Sequence, residues 1–309
     1  MSGKNIRSIK RILVATGLTQ ESVGAVLLAR WLAESIGARL DAVHVIEPLS
    51  EAAASAAPGL SEKVESQGRE ELEKFALTHG IRDFAELHVA IGLPEHEILS
   101  LAAEVEADLI VMGRWGRGGM KPGLLGSNVD RVVRRFPLSV LVVEPEFRGP
   151  IEKIGVASAC TDDKNLELER GMELASRLGQ DRISMILAYE VPAGYHMVSD
   201  YEDAETKLRE VHERIAWGQI KTARERTGTA VEVDLRLEVG SPSKVLGEFA
   251  EAAGLDLLII GAHSRSKPAE LLLDHVAERV LGSATCNIWA EKNPIEEQKL
   301  RDLFKRLFD

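Results

Sequence analysis

The chain repeats itself, and this internal repeat constrains the fold more than any other feature of the sequence. Lys10–Ala15 is echoed by Lys153–Ala157, and Ala107–Gly113 returns as Leu255–Gly261. Two more segments recur in the same order, Val89–Pro94 as Glu238–Pro242 and Val129–Val133 as Ala277–Leu281. Four ordered matches indicate two homologous domains. We expect the domains to span residues 1–148 and 149–292.

Each half alternates short runs rich in Val, Ile and Leu with longer segments of helical periodicity. This alternation is typical of βαβ units built around a parallel sheet. The first helix is predicted to begin near Thr19 and to end at Gly37, a residue suited to a left-handed cap. The predicted strands are 11–15, 40–46, 84–91, 108–112 and 138–143 in the first half, and 153–158, 183–189, 231–238, 256–260 and 287–290 in the second.

Length and composition exclude several classes of protein. The 309 residues are enough for two domains of ordinary size, and the 45% hydrophobic and 28% charged fractions are typical of a globular protein. No apolar run is long enough to span a membrane and the start shows no secretory pattern, so we expect a cytoplasmic protein without a membrane partner. A net charge of -11 disfavours a nucleic-acid partner. Two cysteines, Cys160 and Cys286, are too few for a disulfide framework.

The most informative segment is the glycine-rich stretch from Gly113 to Ser127, which follows a predicted buried strand and leads into a helix. Glycines let a backbone approach an anion closely, and the free amides at a helix start attract phosphate. Arg114, Arg117 and Lys121 add positive charge. The spacing is Gly, two residues, Gly, nine residues, Gly-Ser, which is neither a P-loop nor a GxGxxG fingerprint. The stretch therefore favours a phosphate site at the edge of a doubly wound sheet.

These residues resemble the universal stress proteins, whose nucleotide-binding members carry Gly-x2-Gly-x9-Gly-Ser/Thr at the fourth strand and the following helix. Gly113, Gly116, Gly126 and Ser127 fit this pattern without a gap, and the resemblance covers about residues 8–292. It implies an α/β fold of two tandem Rossmann-like domains, of the adenine nucleotide alpha hydrolase-like kind. Each domain would have an open five-stranded parallel sheet of order 3-2-1-4-5, and the two would pair through their last strands as an internal pseudo-dimer.

The resemblance also implies a set of ligand-binding residues in the first domain. The implied nucleotide-binding residues are Thr16, Gly17, Val45, Gly113, Arg114, Gly116, Gly126, Ser127 and Asn128. The glycines and Ser127 would contact the triphosphate, and the backbone of Val45 would hold adenine. The family usually has an acidic residue where this chain has Gly17. Because losing one polar contact costs about 0.5–1.5 kcal/mol, we expect weaker binding or an altered ligand.

The second domain departs further from the family pattern. Gly261 is retained, but the other three signature positions hold Ser264, Asp274 and His275. A carboxylate at Asp274 would cap the free amides of the following helix and repel phosphate. The first strand also lacks the acidic residue. We expect that this domain does not bind ATP in the family's way.

Several other side chains admit two interpretations. His44 on a predicted buried strand is expected to be a structural core residue, and His263 is interpreted as structural rather than as a ligand. The stretch 193–201 carries two tyrosines and a methionine, and either packs in the ordinary way or lines a pocket for a nonpolar ligand. Residues 293–309 contain apolar residues at helical spacing, which predicts a C-terminal amphipathic helix that docks on its own chain or across a dimer.

Three functions are compatible with the sequence. The leading hypothesis is a stress-response regulatory protein that binds ATP or another adenine nucleotide in its first domain, acts with an unknown protein partner, and forms a homodimer or an internal pseudo-dimer. The second is a slow ATPase, although no acidic residue lies between Gly113 and Ser127 to position a metal. The third is a non-nucleotide scaffold or small-ligand binder. No catalytic residue or protein metal site is predicted, and Mg2+ would arrive only with bound phosphates.

Overall fold

The computed structural model describes most of the chain and divides it into two compact units. One unit contains Arg7–Pro150 and the other contains Ile151–Asn293. The described residues are 6, 8–48, 59–83, 85–116, 125–147, 149–158, 165–191, 201–262 and 275–292. The predicted C-terminal helix and the stretch 193–200 lie outside these residues. Among the helices that the structure describes, none is long and apolar enough to cross a membrane.

The first domain is a doubly wound sheet. Its strands are β1 (Arg11–Ala15), β2 (Arg39–Ile46), β3 (Ala85–Ile91), β4 (Leu109–Gly113) and β5 (Ser139–Val143), and its helices are α1 (Gln20–Ile36), α2 (Leu60–Thr78), α3 (Pro94–Glu104) and α4 (Ser127–Arg135). The strands are ordered β3-β2-β1-β4-β5, and every pair is parallel. Strand β4 is buried along its whole length, as expected for an inner strand covered on both faces.

The second domain repeats this plan. Its strands are β6 (Ile154–Ser158), β7 (Arg182–Tyr189), β8 (Glu232–Val239), β9 (Leu257–Gly261) and β10 (Asn287–Glu291), and its helices are α5 (Leu166–Arg177), α6 (Tyr201–Thr227), α7 (Pro242–Ala253) and α8 (His275–Ser283). The strands are again all parallel, in the order β10-β9-β6-β7-β8. When the strands are numbered one to five within each domain and the sheet is read from the β8 edge, this order is 3-2-1-4-5, the same as in the first domain.

The structure confirms the predicted fold class, and the ten predicted strands lie within one residue of the observed ones at each end. Helix α1 follows Thr19 and stops at Gly37, whose φ of 67° is the left-handed cap that glycine adopts without strain. These boundaries were predictable because a doubly wound sheet buries nearly continuous runs of aliphatic residues, which turn residues then interrupt.

A buried ion pair ties together the first three strands of the sheet. The Arg11 Nε donates to Asp41 Oδ2 at 2.6 Å, its Nη2 donates to Asp41 Oδ1 at 2.8 Å, and His88 Nε2 lies 2.9 Å from the same Oδ1. Burial by itself would raise the pKa of Asp41, but the hydrogen bonds from Arg11 and His88 outweigh it and lower that pKa. Asp41, Glu86 and His88 are close enough to hold a metal ion, yet the Arg11 guanidinium already bonds both carboxylates.

We predict that Asp41→Asn destabilises the first domain by about 2–4 kcal/mol at pH 7, because it removes the buried carboxylate that accepts two hydrogen bonds from Arg11 and leaves the exposed Glu86 as its counter-charge. The pKa of Asp41 is lowered on folding. Its contribution to the free energy of unfolding is therefore fully present above its pKa in the unfolded chain, about 3.9, and is lost as the pH falls through its pKa in the folded protein. In urea unfolding, the difference in the free energy of unfolding between wild type and Asp41→Asn should therefore become smaller below about pH 4. Glu86→Gln is the control and should change little, because that side chain is 72% exposed.

Candidate functional site

A cavity of about 1010 Å³ opens at the carboxyl edge of the first-domain sheet, where β1, β2 and β4 end. This edge is where doubly wound sheets bind ligands, because the loops after neighbouring strands diverge. The structure brings eight of the nine sequence-predicted site residues to its wall: Thr16, Gly17, Val45, Gly113, Gly116, Gly126, Ser127 and Asn128.

The turn after β1 is fixed by hydrogen bonds around Thr16. Its backbone amide donates to the Val43 carbonyl at 2.9 Å, and its hydroxyl lies 2.9 Å from the Ser22 hydroxyl. The same hydroxyl accepts the Leu18 amide at 3.1 Å, which holds that residue in the left-handed region at φ 56°. His44 is buried, and its Nδ1 lies 2.9 Å from the Thr16 carbonyl, as expected for a structural core histidine. These hydrogen bonds link the turn after β1 to β2 and to the first turn of α1.

Two of the signature glycines lie in close contact with the backbone of neighbouring segments. A side chain at Gly113 would place its Cβ 2.9 Å from the Glu21 carbonyl oxygen at the start of α1, closer than real Cβ atoms approach. At Gly126 the Cβ would lie 3.2 Å from the Arg114 carbonyl oxygen. These two positions bring α1 and the start of α4 close to the end of β4.

Two other glycines of the site have open space around them. Among the residues that the structure describes, none lies within 4 Å of a Cβ built on Gly116, and a Cβ on Gly17 meets only Thr19, at 3.8 Å. Neither residue has the positive φ that would itself demand glycine. Packing therefore does not explain glycine at these positions, both of which face the cavity.

The N-terminus of α4 supplies free hydrogen-bond donors at the cavity. Gly126 is its N-cap residue, with φ -60° and ψ 143°, and has no side chain that could accept a bond from the first-turn amides. Ser127, Asn128 and Val129 of this first turn all line the cavity. The unsatisfied amides and the helix dipole make this end of the cavity attractive to an anion.

The structure does not bring the Arg114 side chain to the cavity, in contrast to the sequence-based expectation. Arg114 is only 1% exposed, and its Nε lies 2.5 Å from Glu144 Oε1 in an ion pair beneath the loop. Burial raises the pKa of Glu144, and the nearby guanidinium opposes that shift. The residue's backbone joins the loop to its neighbours, since its amide donates to Val143 and its carbonyl accepts from Gly126. Arg114 therefore positions the loop instead of facing a ligand.

Sequence reasoning missed one wall of the cavity, which α2 supplies. Gln67, Gly68 and Glu71 line it from this helix, and Glu47 lines it from the end of β2. Gly68 packs closely against Ile46, because a Cβ at this position would overlap the terminal methyl group of that side chain. The signal was the glycine in the middle of a helix, a position that usually has a packing reason. Arg117 and Lys121, the other predicted cations, lie outside the described residues.

The equivalent corner of the second domain is occupied by its own side chains. Asn165 Nδ2 donates to Ser158 Oγ and to Gln219 Oε1, both at 2.9 Å, at the end of β6. The Tyr189 ring at the end of β7 stacks on His212 of α6, with centroids 4.7 Å apart. These polar and aromatic contacts lie where the first domain has its open cavity. Ser264 and Asp274 are outside the described residues, as is His263, so the predicted capping by Asp274 remains a prediction.

Comparison with known proteins places the chain in a family. A model described as the universal stress protein family matches residues 8–144 and, a second time, residues 150–290. The chain belongs to the universal stress protein family. It is a tandem member, because the two matches together cover most of its length.

Curated relatives that are universal stress proteins match about half of the chain. A universal stress protein of Methanocaldococcus jannaschii is 32% identical over 150 residues, covering 46% of this chain and 85% of its own length. One from Thermus aquaticus is 35% identical over 136 residues, covering 43% of this chain and 98% of its own length. These relatives correspond in length to one domain of the tandem universal stress protein.

Solved structures of similar fold extend over the whole tandem chain. A universal stress protein from Archaeoglobus fulgidus has a TM-score of 0.62 at 20% identity, covering 92% of this chain and 98% of its own. A functionally unknown protein from Pseudomonas aeruginosa has a TM-score of 0.66 at 16% identity, covering 97% of each chain. At these identities the likeness supports the fold alone.

We predict that Gly113→Ala and Gly116→Ala, the same chemical change three residues apart, differ in their effect on stability. Gly113→Ala forces its Cβ against the Glu21 carbonyl and should cost about 1–3 kcal/mol through overpacking. Gly116→Ala has open space and should change the free energy of unfolding by less than about 0.5 kcal/mol. Urea unfolding of both variants tests this, and equal losses would contradict the described packing of the loop.

Proposed function

We propose that the first domain of this universal stress protein binds ATP or another adenine nucleotide. In this proposal the protein is a cytoplasmic stress-response regulator, and nucleotide occupancy alters its assembly or its contact with an unknown protein partner. The observation that carries this proposal is the N-terminus of α4, which has no capping side chain. It lies at one end of the cavity at the carboxyl edge of the sheet. The cavity volume is at the upper end of the range of about 300–1000 Å³ for small-molecule sites, so a whole nucleotide has room.

The end of the cavity at α4 is suited to phosphate. Gly126 has no side chain to cap the first-turn amides, and none of the described residues would collide with a side chain at Gly116. Backbone amides and a helix N-terminus bind phosphate without a side-chain cation. This explains how the site can serve phosphate although Arg114 is engaged with Glu144.

The opposite end of the cavity is suited to the nucleoside. The resemblance to nucleotide-binding family members gives the Val45 backbone the role of holding adenine, and Val45 lines the cavity at the end of β2. Gly17 leaves open space where the family usually has an acidic residue. Without that residue we expect modest affinity. A nucleotide complex bound in this way would carry its Mg2+ on the phosphates.

A slow ATPase is the second candidate function, and one observation favours it. Glu47 and Glu71 bring two carboxylates to the cavity wall, although neither lies in the glycine-rich segment. Phosphoryl transfer requires a carboxylate near the metal and a group that orients the attacking water. Measurable ATP hydrolysis that is lost in Glu71→Gln would support this activity, whereas hydrolysis unchanged by Glu47→Gln and Glu71→Gln would contradict it.

We predict that Asn128→Asp weakens nucleotide binding in proportion to the negative charge of the ligand. The substitution keeps the shape of a cavity-lining side chain and places a carboxylate in the first turn of α4, where it caps amides and repels phosphate. Calorimetric titration should show ATP affinity reduced about tenfold or more, AMP affinity reduced less, and adenosine affinity almost unchanged. Asn128→Ser is the uncharged control.

Equal losses for ATP and adenosine in Asn128→Asp would contradict the placement of phosphate at α4. Absence of saturable binding of any adenine nucleotide by the wild type would refute the proposal and leave the scaffold or small-ligand hypothesis. Occupancy that changes neither the sedimentation of the chain nor its partner binding would refute the regulatory part alone.

We further predict that Gly17→Asp strengthens nucleotide binding. A side chain fits at this position, since its Cβ would meet only Thr19 at 3.8 Å. Restoring the family's usual polar contact should raise affinity about two- to tenfold, the reverse of losing one hydrogen bond. Gly17→Ala, which fills the same space without a polar group, is the matched control. Weaker binding by Gly17→Asp than by Gly17→Ala would contradict the predicted orientation of the nucleoside.

A further inference from the structure

The second domain has a cleft of its own at the carboxyl edge of its sheet. It has a volume of about 460 Å³ and is lined by Glu190, Ser241, Pro242, Ser243, Val276 and Arg279. These residues come from the ends of β7 and β8 and from the first turns of α7 and α8. The cleft therefore occupies part of the place that the larger cavity has in the first domain, although the nearby corner at Ser158 is closed by side chains.

At the position of this cleft, the first domain has an ion pair that the second domain lacks. In the first domain, Arg131 Nη1 donates to Glu95 Oε1 at 3.0 Å, and Glu95 is only 4% exposed. Helices α3 and α7 start in register, as do α4 and α8, so Ser243 stands where Glu95 does and Arg279 stands where Arg131 does. The arginine is kept while its carboxylate partner is replaced by a hydroxyl. Arg279 is exposed to solvent, and none of the ion pairs between described residues involves it.

We propose that this cleft binds the phosphate or carboxylate group of a small molecule, with Arg279 as the principal contact. A guanidinium offers several fixed donors that match either anion. Ser241 and Ser243 add two hydroxyls to the same cleft. Ser241 is also the N-cap residue of α7 and makes no side-chain cap. Pro242 has no amide hydrogen and the Lys244 amide donates to the Ser241 carbonyl, so the Ser243 amide is the one first-turn donor left for an anion.

The opposite charge in the cleft defines the class of ligand further. Glu190 lines the same cleft and accepts hydrogen bonds or pairs with a cation. A ligand that carries one anionic group and an ammonium group at its other end satisfies Arg279 and Glu190 together. The second domain is therefore a site for a small zwitterionic metabolite, separate from the nucleotide site proposed for the first domain.

The test is titration of the full chain with inorganic phosphate and with phosphoethanolamine, followed by calorimetry. We expect saturable binding of both, with phosphoethanolamine bound more tightly because its ammonium reaches Glu190. Arg279→Gln should lower both affinities about tenfold or more, the usual effect of removing a charge-assisted bidentate contact. Glu190→Gln should remove the advantage of phosphoethanolamine and leave phosphate binding unchanged or slightly stronger.

Ser243→Glu is the most specific variant, because it rebuilds the Glu95–Arg131 pair of the first domain. It should abolish binding while leaving the melting temperature unchanged or higher, since an acidic residue in the first turn also favours the helix. Lys244→Ala, one position away on the exposed face of α7, is the matched control and should bind as wild type does. Glycerol phosphate has the anionic group but no ammonium group, so its affinity measures the contribution of Arg279 without that of Glu190.

Asn128→Asp distinguishes this cleft from the first-domain cavity. Phosphate binding that survives Arg279→Gln and Ser243→Glu but disappears in Asn128→Asp belongs to the first domain and would overturn the proposal. Absence of binding of any probe by the wild type would also overturn it. Phosphoethanolamine binding that survives in Asn128→Asp and is lost in Ser243→Glu would establish the second-domain site, whatever the outcome for nucleotides.

Discussion

The candidate sites depend on the point in the sheet where the strand order reverses, on either side of β1. β1 pairs with β2 on one side and with β4 on the other, so the connections that follow β1 and β4 run in opposite directions. Right-handed crossovers then place the next helices on opposite faces of the sheet and leave a crevice between the two loops. The close approach of Gly113 to the start of α1 sets its width. Without a glycine there, the crevice would have a different shape.

The second domain has the same strand order, yet its crevice is filled differently. Asn165 donates to Ser158 and Gln219 at the place where the first domain is open, and the Tyr189 ring at the end of β7 stacks on His212. The backbone supplies the same crevice in both domains, and the side chains that line it decide its charge and volume. The replacement of Glu95 by Ser243 is an example, since it changes the partner of an arginine without altering the helix that carries it.

Much of this architecture could be predicted from the sequence, and the reasons for success and failure are physical. Strand positions followed from aliphatic runs such as Leu109–Met112, which only an inner parallel strand requires. The role of Arg114 could not be predicted, because its pairing with Glu144 depends on the contact of two loops thirty residues apart. The cavity wall formed by α2 was also missed, because it too depends on contacts between segments that are far apart in the sequence. Local spacing identifies a loop, whereas the direction of each side chain is set by tertiary packing.

The most direct test of the account is a crystal structure of the full chain grown with ATP and Mg2+. The account predicts one nucleotide per chain, in the first domain, with adenine at the Val45 backbone, phosphates against the amides of Ser127 and Asn128, and the Arg114 side chain still paired with Glu144. Nucleotide density in the second domain, or an empty first-domain cavity at saturating ATP, would contradict it.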